Sequence, residues 1–503
     1  MTGDVPAVGM RLSLGGKRTL TIGETDLILY AKVTKQAIPL YNVLWAAVVE
    51  EKIIIDYAVH TSDTSCDTAQ WAFTLPYLDD DQYEGSSLPK AFASALLATA
   101  YGDAKIKKSA YVLINPSSGP GGALHRWHTQ VEPLFRAARM NLDVVTLSRG
   151  GEAADLVQEA NLDKYDTIMA CSGDGTPHEI FNGLARRPDA KKVLSRVAVS
   201  HIPCGSGNAL ALNLYGTNQA GAAALAIIKG VVMPLDLISI TQGERRILSF
   251  LSQAVGIIAE SDLATEHMRW MGGFRFEVGL ALRVCRRRCY PCDIAFKLEL
   301  DDKGKIRQEY KRHSDDPRLL KRGLQEQVDS DANDDQDGDT TGGLPKLKYG
   351  TVQDELPEGW KMISTDTIGN FYCGNMPYMT AGANFFPASR PYEGCMDLVT
   401  WDGDVSPLTA VGILLSVESG GFYDNPNVSY RKISAYRLIP RNQEDGYISI
   451  DGEKIPFEPF QAEIHRGLGR VISKRGIFEA EGPAGWDDDL EPEECDCRAS
   501  CEH

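Results

Sequence analysis

Between about residues 10 and 82, apolar residues come in short runs of branched and aromatic side chains separated by polar breaks, as in LTIGETDLILYAKV, LYNVLWAAVV and KIIIDYAVH. This pattern predicts a small β-rich module. LPKAFASALLATAYG (Leu88 to Gly102) changes to helical spacing and predicts a linking helix. From Ala110 the pattern alternates. AYVLIN, LDVVTL, YDTIMAC and VAVSHIP read as strands, and LHRWHTQVEPLFRAARM, EAADLVQEA, PHEIFNGLA and NALALNLYG as helices between and after them. Continuous apolar strands alternating with amphipathic helices predict a parallel sheet covered on both faces, with ligands at the carboxyl ends of its strands.

From about Pro234 the alternation fades. ILSFLS, FKLEL, MISTDTIGNFYC, MDLVTWDG, ISAYRLIP and YISIDG predict antiparallel β structure with a few helices. The expected organisation is a β-rich module at 1–87, a helical linker at 88–105, an α/β domain at 106–236, a β domain at 237–475 and a tail at 476–503. A polar, aspartate-rich stretch from His313 to Gly343 interrupts the β domain and predicts a disordered surface insertion. Read as a calcium loop starting at Asn333, it places Gly338 correctly but offers Leu344 where a glutamate is needed, so that reading fails.

Composition changes this picture only in part. The net charge is −17, but 15 of the excess negative charges lie in His313–Thr340 and Glu479–His503. The rest of the chain is nearly neutral, and nothing in it suggests a nucleic-acid partner, which would want a basic face. No apolar run reaches bilayer-spanning length, and no charged start followed by an apolar run opens the chain. The 11 cysteines show no framework, so reduced thiols in the cytoplasm are expected.

Three loops fall at predicted strand ends. NPSSGPGGA (Asn115 to Ala123) has Gly119, Gly121 and Gly122 before a helix, a backbone that can approach an anion. It fits neither the dinucleotide fingerprint nor the Walker loop. In SGDGT, Gly173 and Gly175 leave Asp174 free of bulky neighbours, and Pro177 suits the first turn of the next helix. Asp174 is suited either to take a proton from an attacking hydroxyl or only to cap that helix. PCGSGNALA (Pro203 to Ala211) adds a second cradle, with Asn208 placed to cap the next helix or to bond a ligand.

NPSSGPGGA, CSGDGTPHEIFNGL and PCGSGNALAL, in this order, resemble the catalytic domain of the diacylglycerol kinase superfamily. The blocks FLSQAVGIIAESDLATEHMRWMGGFRFEVG (Phe250 to Gly279) and IDGEKIPFEPFQAEIHRGLGRVI narrow the resemblance to sphingosine kinases, also called long-chain base kinases. It covers roughly Ile106 to Ser473 without the acidic insertion, and more weakly the N-terminal module. The resemblance implies a phosphofructokinase-like α/β nucleotide-binding domain, an antiparallel β-sandwich domain and an active site in the cleft between them. It implies ATP and Mg²⁺, and transfer to the primary hydroxyl of sphingosine, dihydrosphingosine or phytosphingosine. Asp174 matches the general base. Ser172, Gly173 and Gly175 match the lining of the lipid hydroxyl, and Asp262 the acid that grips the substrate amine. Asn115, Pro116, Ser117, Glu179, Gly205, Ser206 and Gly207 match nucleotide contacts, as do Asp451, Gly452 and Glu453; Arg269 and Arg275 match phosphate-holding arginines.

The chain departs from the family in TLSRGGEAA (Thr146 to Ala154), where Thr146 fits only with a one-residue shift and Glu152 stands in place of a histidine. Pro120 replaces a basic residue in the first loop, which puts phosphate charge onto Arg269 and Arg275. His178 is expected to be a hydrogen-bonded neighbour of the second loop. RRRCYPC (Arg286 to Cys292) cannot make a four-ligand zinc site with one cysteine pair, but its arginines suit contact with an anionic membrane. CDCRASCEH is read as a tail. A peripheral membrane association and a homodimer are expected. Two other functions stand beside the first: a ceramide or diacylglycerol kinase, against which Asp262 argues, and a non-catalytic lipid-binding protein on a kinase fold, against which the retained Asp174 and arginines argue.

Overall fold

The structure, a computed structural model, describes residues 7–62, 65–76, 87–264, 288–314, 342–443 and 446–486. Arg269, Arg275, residues 315–341 of the acidic insertion and the cysteine-bearing tail lie outside them, as does the Asp262 side chain.

The N-terminal module is two antiparallel meanders. β1 (Arg11–Gly15), β2 (Arg18–Ile22), β3 (Asp26–Tyr30) and β4 (Lys35–Pro39) form one sheet, and β5 (Val43–Val49), β6 (Lys52–Ser62) and β7 (Ser65–Thr74) the other. Alternate residues such as Leu12 and Leu14 are buried, as expected of a sheet with one covered face. Helix α1 (Ser87–Tyr101) packs on β5. Asp56 accepts from Arg139 at 2.8 Å and from Gln70 at 2.6 Å, which ties the module to the next unit.

That unit carries the expected alternation. β8 (Ser109–Ile114), β9 (Asn141–Thr146), β10 (Thr167–Ser172) and β11 (Ala198–Pro203) form a parallel sheet in the order β9-β8-β10-β11. β10 and β11 are buried at every position, because helices cover both faces. The helices are α2 (Ala123–Arg126), continued through a π turn into α3 (Glu132–Ala137), then α4 (Glu152–Glu159), α5 (Gly175–Ala185), α6 (Ala190–Leu194), α7 (Ala209–Tyr215) and α8 (Ala220–Lys229).

The boundary expected at 236/237 falls inside one strand, β12 (Val231–Gln242). The remaining strands are β13 (Arg245–Ser249), β14 (Ser252–Gly256), β15 (Cys292–Leu300), β16 (Lys361–Thr365), β17 (Ile368–Gly374), β18 (Tyr378–Thr380), β19 (Ala383–Asn384), β20 (Met396–Asp402), β21 (Ser429–Pro440), β22 (Ile448–Ile450), β23 (Glu453–Ile455) and β24 (Phe460–Ser473). They pair antiparallel around a second core that includes Ile238, Phe296, Phe371, Tyr436 and Phe460. β24 joins the two halves: Val471 pairs parallel with Val199 of β11, while its earlier residues pair antiparallel with β21. Helix α9 (Ile257–Ala264) follows β14, and a further helix spans Pro407–Glu418.

Two further boundaries differ from the expected ones. His313 and Ser314 end the helix Lys303–Ser314 rather than opening an insertion. Residues 476–486 are folded: Phe478 is buried, the Glu479 amide donates to Asn213 O at 2.7 Å, and Trp486 packs edge-on against Tyr310. Among the described residues no helix is long and apolar enough to cross a membrane.

Candidate active site

The register of the parallel strands brings the three loops to one level. Cys171 pairs with Ile114 on one side and Ile202 on the other, so the residues after them leave the sheet together. The loops then touch through glycine. A Cβ on Gly205 would lie 2.3 Å from the Gly173 Cα, and one on Gly119 would lie 2.9 Å from the Gly205 carbonyl carbon. Real side chains do not fit at such distances, so the sequence can hold three backbones this close only with glycine there.

Asp174 sits at the centre of this contact and is 11 % exposed. Its carboxylate accepts the Ala209 amide at 2.8 Å and the Leu210 amide at 3.0 Å. It therefore caps α7, the helix after the third loop, and not α5, which it precedes in sequence. The cap expected from Asn208 is not made. Asn208 instead accepts the Gly205 amide and donates to the Gly205 carbonyl, both at 2.9 Å, closing its own loop. Burial pushes the Asp174 carboxyl above its ordinary range and Asp451 adds to this; the two amides hold it down, as His201 does only when it carries a positive charge.

His201, on β11, is fully buried. Its Nε2 lies 2.9 Å from Ser172 O, so it is the protonated nitrogen. Nδ1 has no partner and lies 3.9 Å from Asp174 Oδ1. Burial holds this imidazole below its usual pKa, hence neutral.

The loops line one end of a cleft of about 740 Å³. Asn115, Ser117, Gly119, Gly173, Asp174, Gly175, Glu179, Gly205, Ser206, Gly207, Asp451, Gly452 and Glu453 all reach it. Its other end is lined by Ile258, Tyr372, Met379, Phe385, Leu414 and Val417, from α9, β17, the β18–β19 hairpin and the helix Pro407–Glu418. One cleft thus joins a polar glycine cradle to an apolar wall.

Three expected assignments change. Ser172 does not line the cleft; it is fully buried and its hydroxyl donates to Gly173 O at 2.8 Å. Pro116 is not among the lining residues either. The Asp451 carboxylate is spent on the protein itself: it accepts from Ser249 Oγ at 2.6 Å, from the Phe250, Leu251 and Ser252 amides at 3.0 Å, and faces His178 Nδ1 at 2.9 Å. With Gly452 it forms the two-residue turn between β22 and β23, both residues at positive φ, which is type I′ hairpin chemistry.

His178 is the hydrogen-bonded neighbour expected. Burial lowers its pKa, but the bond and charge of Asp451 outweigh this and leave it raised. One turn along α5, Asn182 exchanges bonds with Leu248, its Nδ2 donating to the carbonyl and its Oδ1 accepting the amide, both at 2.9 Å. These contacts fix the β region against α5. Glu179 binds the loop before α4, accepting the Gly151 and Ala153 amides at 3.0 and 3.2 Å. Burial, and less strongly Glu453, push its carboxyl up against the pull of those amides. Glu152 braces the same loop, accepting from Ser148 Oγ at 2.8 Å and the Arg149 amide at 3.2 Å. That loop brings in a residue not anticipated from sequence: Arg149, the cation among the described lining residues, paired with Asp155 at 2.6 Å. Its signal was the basic residue in SRGG at a strand end.

Residues 109–240 match the diacylglycerol kinase catalytic domain, and 31–102 match a domain of unknown function. The chain is 34 % identical over 454 residues to sphingoid long chain base kinase 5 of Saccharomyces cerevisiae, covering 80 % of this chain and 65 % of that protein's length. It is 28 % identical to sphingoid long chain base kinase 4 of Schizosaccharomyces pombe, over 89 % of this chain and 90 % of the relative. It is also 28 % identical to human sphingosine kinase 1, over 75 % and 92 %. A crystal structure of a protein assigned as a diacylglycerol kinase from Bacillus anthracis str. Sterne superposes with a TM-score of 0.50 at 18 % identity, covering 74 % of this chain and 97 % of that one.

Proposed function

From the match to the diacylglycerol kinase catalytic domain and the similarity to sphingoid long chain base kinases, we propose that the chain belongs to that family and transfers the γ-phosphoryl group of ATP to the primary hydroxyl of a sphingoid base. The observation that carries this reading is the cleft itself, a glycine cradle and Asp174 at one end and an apolar wall at the other. A nucleotide triphosphate suits the first and an alkyl chain the second. The two-part reading of the fold, a phosphofructokinase-like α/β domain and a β-sandwich domain meeting at this cleft, belongs to the same proposal.

Phosphoryl transfer asks for positioning and charge stabilisation more than for covalent chemistry. The backbone N–H groups of Gly119 and Gly207 would hold the phosphates, with Arg149 beside them. Arg269 and Arg275 would add charge from outside the described residues. Asp174 would take the hydroxyl proton as the oxygen forms its bond to the γ-phosphorus, and the breaking P–O bond leaves its electron pair on ADP. Among the described residues no cluster of three metal-ligating side chains exists. Mg²⁺ typically takes one or two carboxylates and completes its shell with phosphate oxygens and water, so Glu179 and Glu453 at the cradle would suffice for an ion carried by ATP. Held there, the ion would supply positive charge against the phosphates.

Asp262 would choose an amine-bearing lipid: it stands in α9, whose Ile258 and Ser261 line the cleft. Ceramide and diacylglycerol lack a free amine. Incubating the protein with Mg-ATP and a panel of sphingoid bases, ceramide and diacylglycerol tests the reading. Phosphorylated sphingoid base is expected; product from the amine-free lipids alone would replace it, and no product would favour a non-catalytic lipid binder.

A further inference from the structure

Asp174 Oδ1 and His201 Nδ1 face each other 3.9 Å apart. Both are acceptors in the resting state. His201 Nε2–H is committed to Ser172 O, which leaves Nδ1 as a bare lone pair, buried and without a donor. A buried, unsatisfied acceptor costs stability, so its persistence calls for an explanation. The pair is short of one proton, and the proposed reaction delivers one proton to this place in each turnover.

We propose that His201 is the positioning partner of the base, and that the proton Asp174 takes from the substrate hydroxyl is shared with His201 Nδ1. The inference rests on Asp174 being the base. The O–H bond of the acceptor alcohol breaks as its O–P bond forms. The proton reaches the Asp174 carboxyl, and closing the gap by about 1 Å makes an ordinary hydrogen bond between Oδ1 and Nδ1. The loaded state is then a carboxylate–imidazolium pair, or its neutral tautomer, which must titrate as a unit. Return of the proton to water through Asp174 after product release restores the resting state.

The surroundings permit this. The Ala209 and Leu210 amides hold the carboxylate in place and favour its charge. The Asp451 charge adds to the proton affinity of Asp174. On the far side of His201, its backbone amide donates to Tyr215 Oη at 3.3 Å, a neutral neighbour whose hydroxyl burial pushes well above its usual range. Ser172 O receives Nε2–H and fixes the ring. These neighbours supply no cation to oppose protonation of Nδ1. The ring sits beneath the loops rather than in the cleft lining, so it acts through Asp174 and not on the substrate.

The test combines two measurements. In protein with ¹⁵N-labelled histidine, the His201 ring at neutral pH is expected as the Nε2–H tautomer with an unprotonated Nδ1; an Nδ1–H tautomer overturns the proposal without any assay. In kinetics, His201→Phe keeps the ring volume but removes the acceptor. It is expected to lower kcat on the order of tenfold and to move the acid limb of the kcat profile to lower pH, with KM for ATP little changed. His201→Gln, which can still donate to Ser172 O, should behave alike if proton sharing is the role and like the parent if holding Ser172 is the role. An unmoved acid limb in both variants overturns the proposal. Asp174→Asn separates the two readings: if it retains activity the base assignment fails first, and if it is dead while the His201 variants keep the parent's profile only the present inference fails.

Discussion

The Asp174 carboxylate accepts the backbone amide of Ala209 at 2.8 Å, so the acid of one loop caps the helix of another. The candidate base is therefore also a structural tie. Asp174→Asn removes the proton acceptor and keeps a single carbonyl oxygen for two amides. Turnover is expected to fall by about 10²–10⁴-fold. Stability is expected to fall by about 0.5–2 kcal/mol, the usual range for a lost cap. A variant with parental turnover would remove Asp174 from the reaction. In the parent, burial raises the carboxyl pKa, so the base is protonated at a higher pH than an exposed aspartate. The acid limb of kcat should therefore lie above the ordinary carboxylate range, with activity lost as pH falls through it.

Gly205 predicts a sharper contrast. A methyl group there would meet the Gly173 backbone at 2.3 Å, where neither side can yield without moving a loop. Gly205→Ala should abolish activity and lower the melting temperature. Gly121 lies at φ +87° but nothing stands within 4 Å of a Cβ there. Gly121→Ala should cost only the backbone strain, about 1–2 kcal/mol, and keep measurable turnover. Equal tolerance at both positions would show that the loops do not touch as described.

Much of this site was legible in the sequence because it is local. Strand-end glycines, the lone Asp174 and the alternating pattern all lie within about 100 residues, and each has its own spacing signal. What escaped was the pairing between loops. Asn208 directly precedes α7 and is the natural cap by position, yet Asp174, 34 residues earlier, holds that place. Nothing local says so. β24 is a second case: its pairing with β11 spans about 270 residues, and no periodicity reports which distant strand completes a sheet. Asp451 is the opposite failure. Asp-Gly between two short β runs is a strong hairpin signal, and a functional assignment was laid over it.

Asp451 consequently gives a test of structure against ligand contact. Its carboxylate accepts from one hydroxyl and three amides in a buried site. Asp451→Ala leaves these donors unpaired and frees His178 from its partner. Losing one member of a buried charged network costs about 3–5 kcal/mol. A large drop in melting temperature is expected, with any loss of activity following it. A stable variant with only a raised KM for ATP would instead make the side chain a nucleotide contact.

Lys229 predicts the pH dependence of the contact between the N-terminal module and the catalytic body. Its Nζ lies at the junction, donating to Val43 O, and to Ala100 O at 3.0 Å, beside the Tyr101 ring. Burial, and then the charge of Lys108, lower its pKa to about 7. A neutral amine has two N–H donors, and two carbonyls are there to receive them. In the unfolded chain the lysine keeps its proton to about pH 10.4. Between these values the unfolded state binds more protons than the folded one, so unfolding free energy rises with pH. The contribution is fully present above the unfolded pKa and is lost as pH falls through about 7. Its slope is at most about 1.4 kcal/mol per pH unit. Lys108, lowered to about 8 by burial, adds in the same direction. The melting temperature of the parent should therefore climb from pH 7 to 9.5 more steeply than that of Lys229→Met, which cannot titrate there. The variant should compare worst with the parent at pH 9.5, where it lacks the two bonds to carbonyl oxygen, and best near pH 7. Parallel curves for the two proteins would mean that Lys229 stays charged in the fold, and that the junction is held by an ammonium group instead.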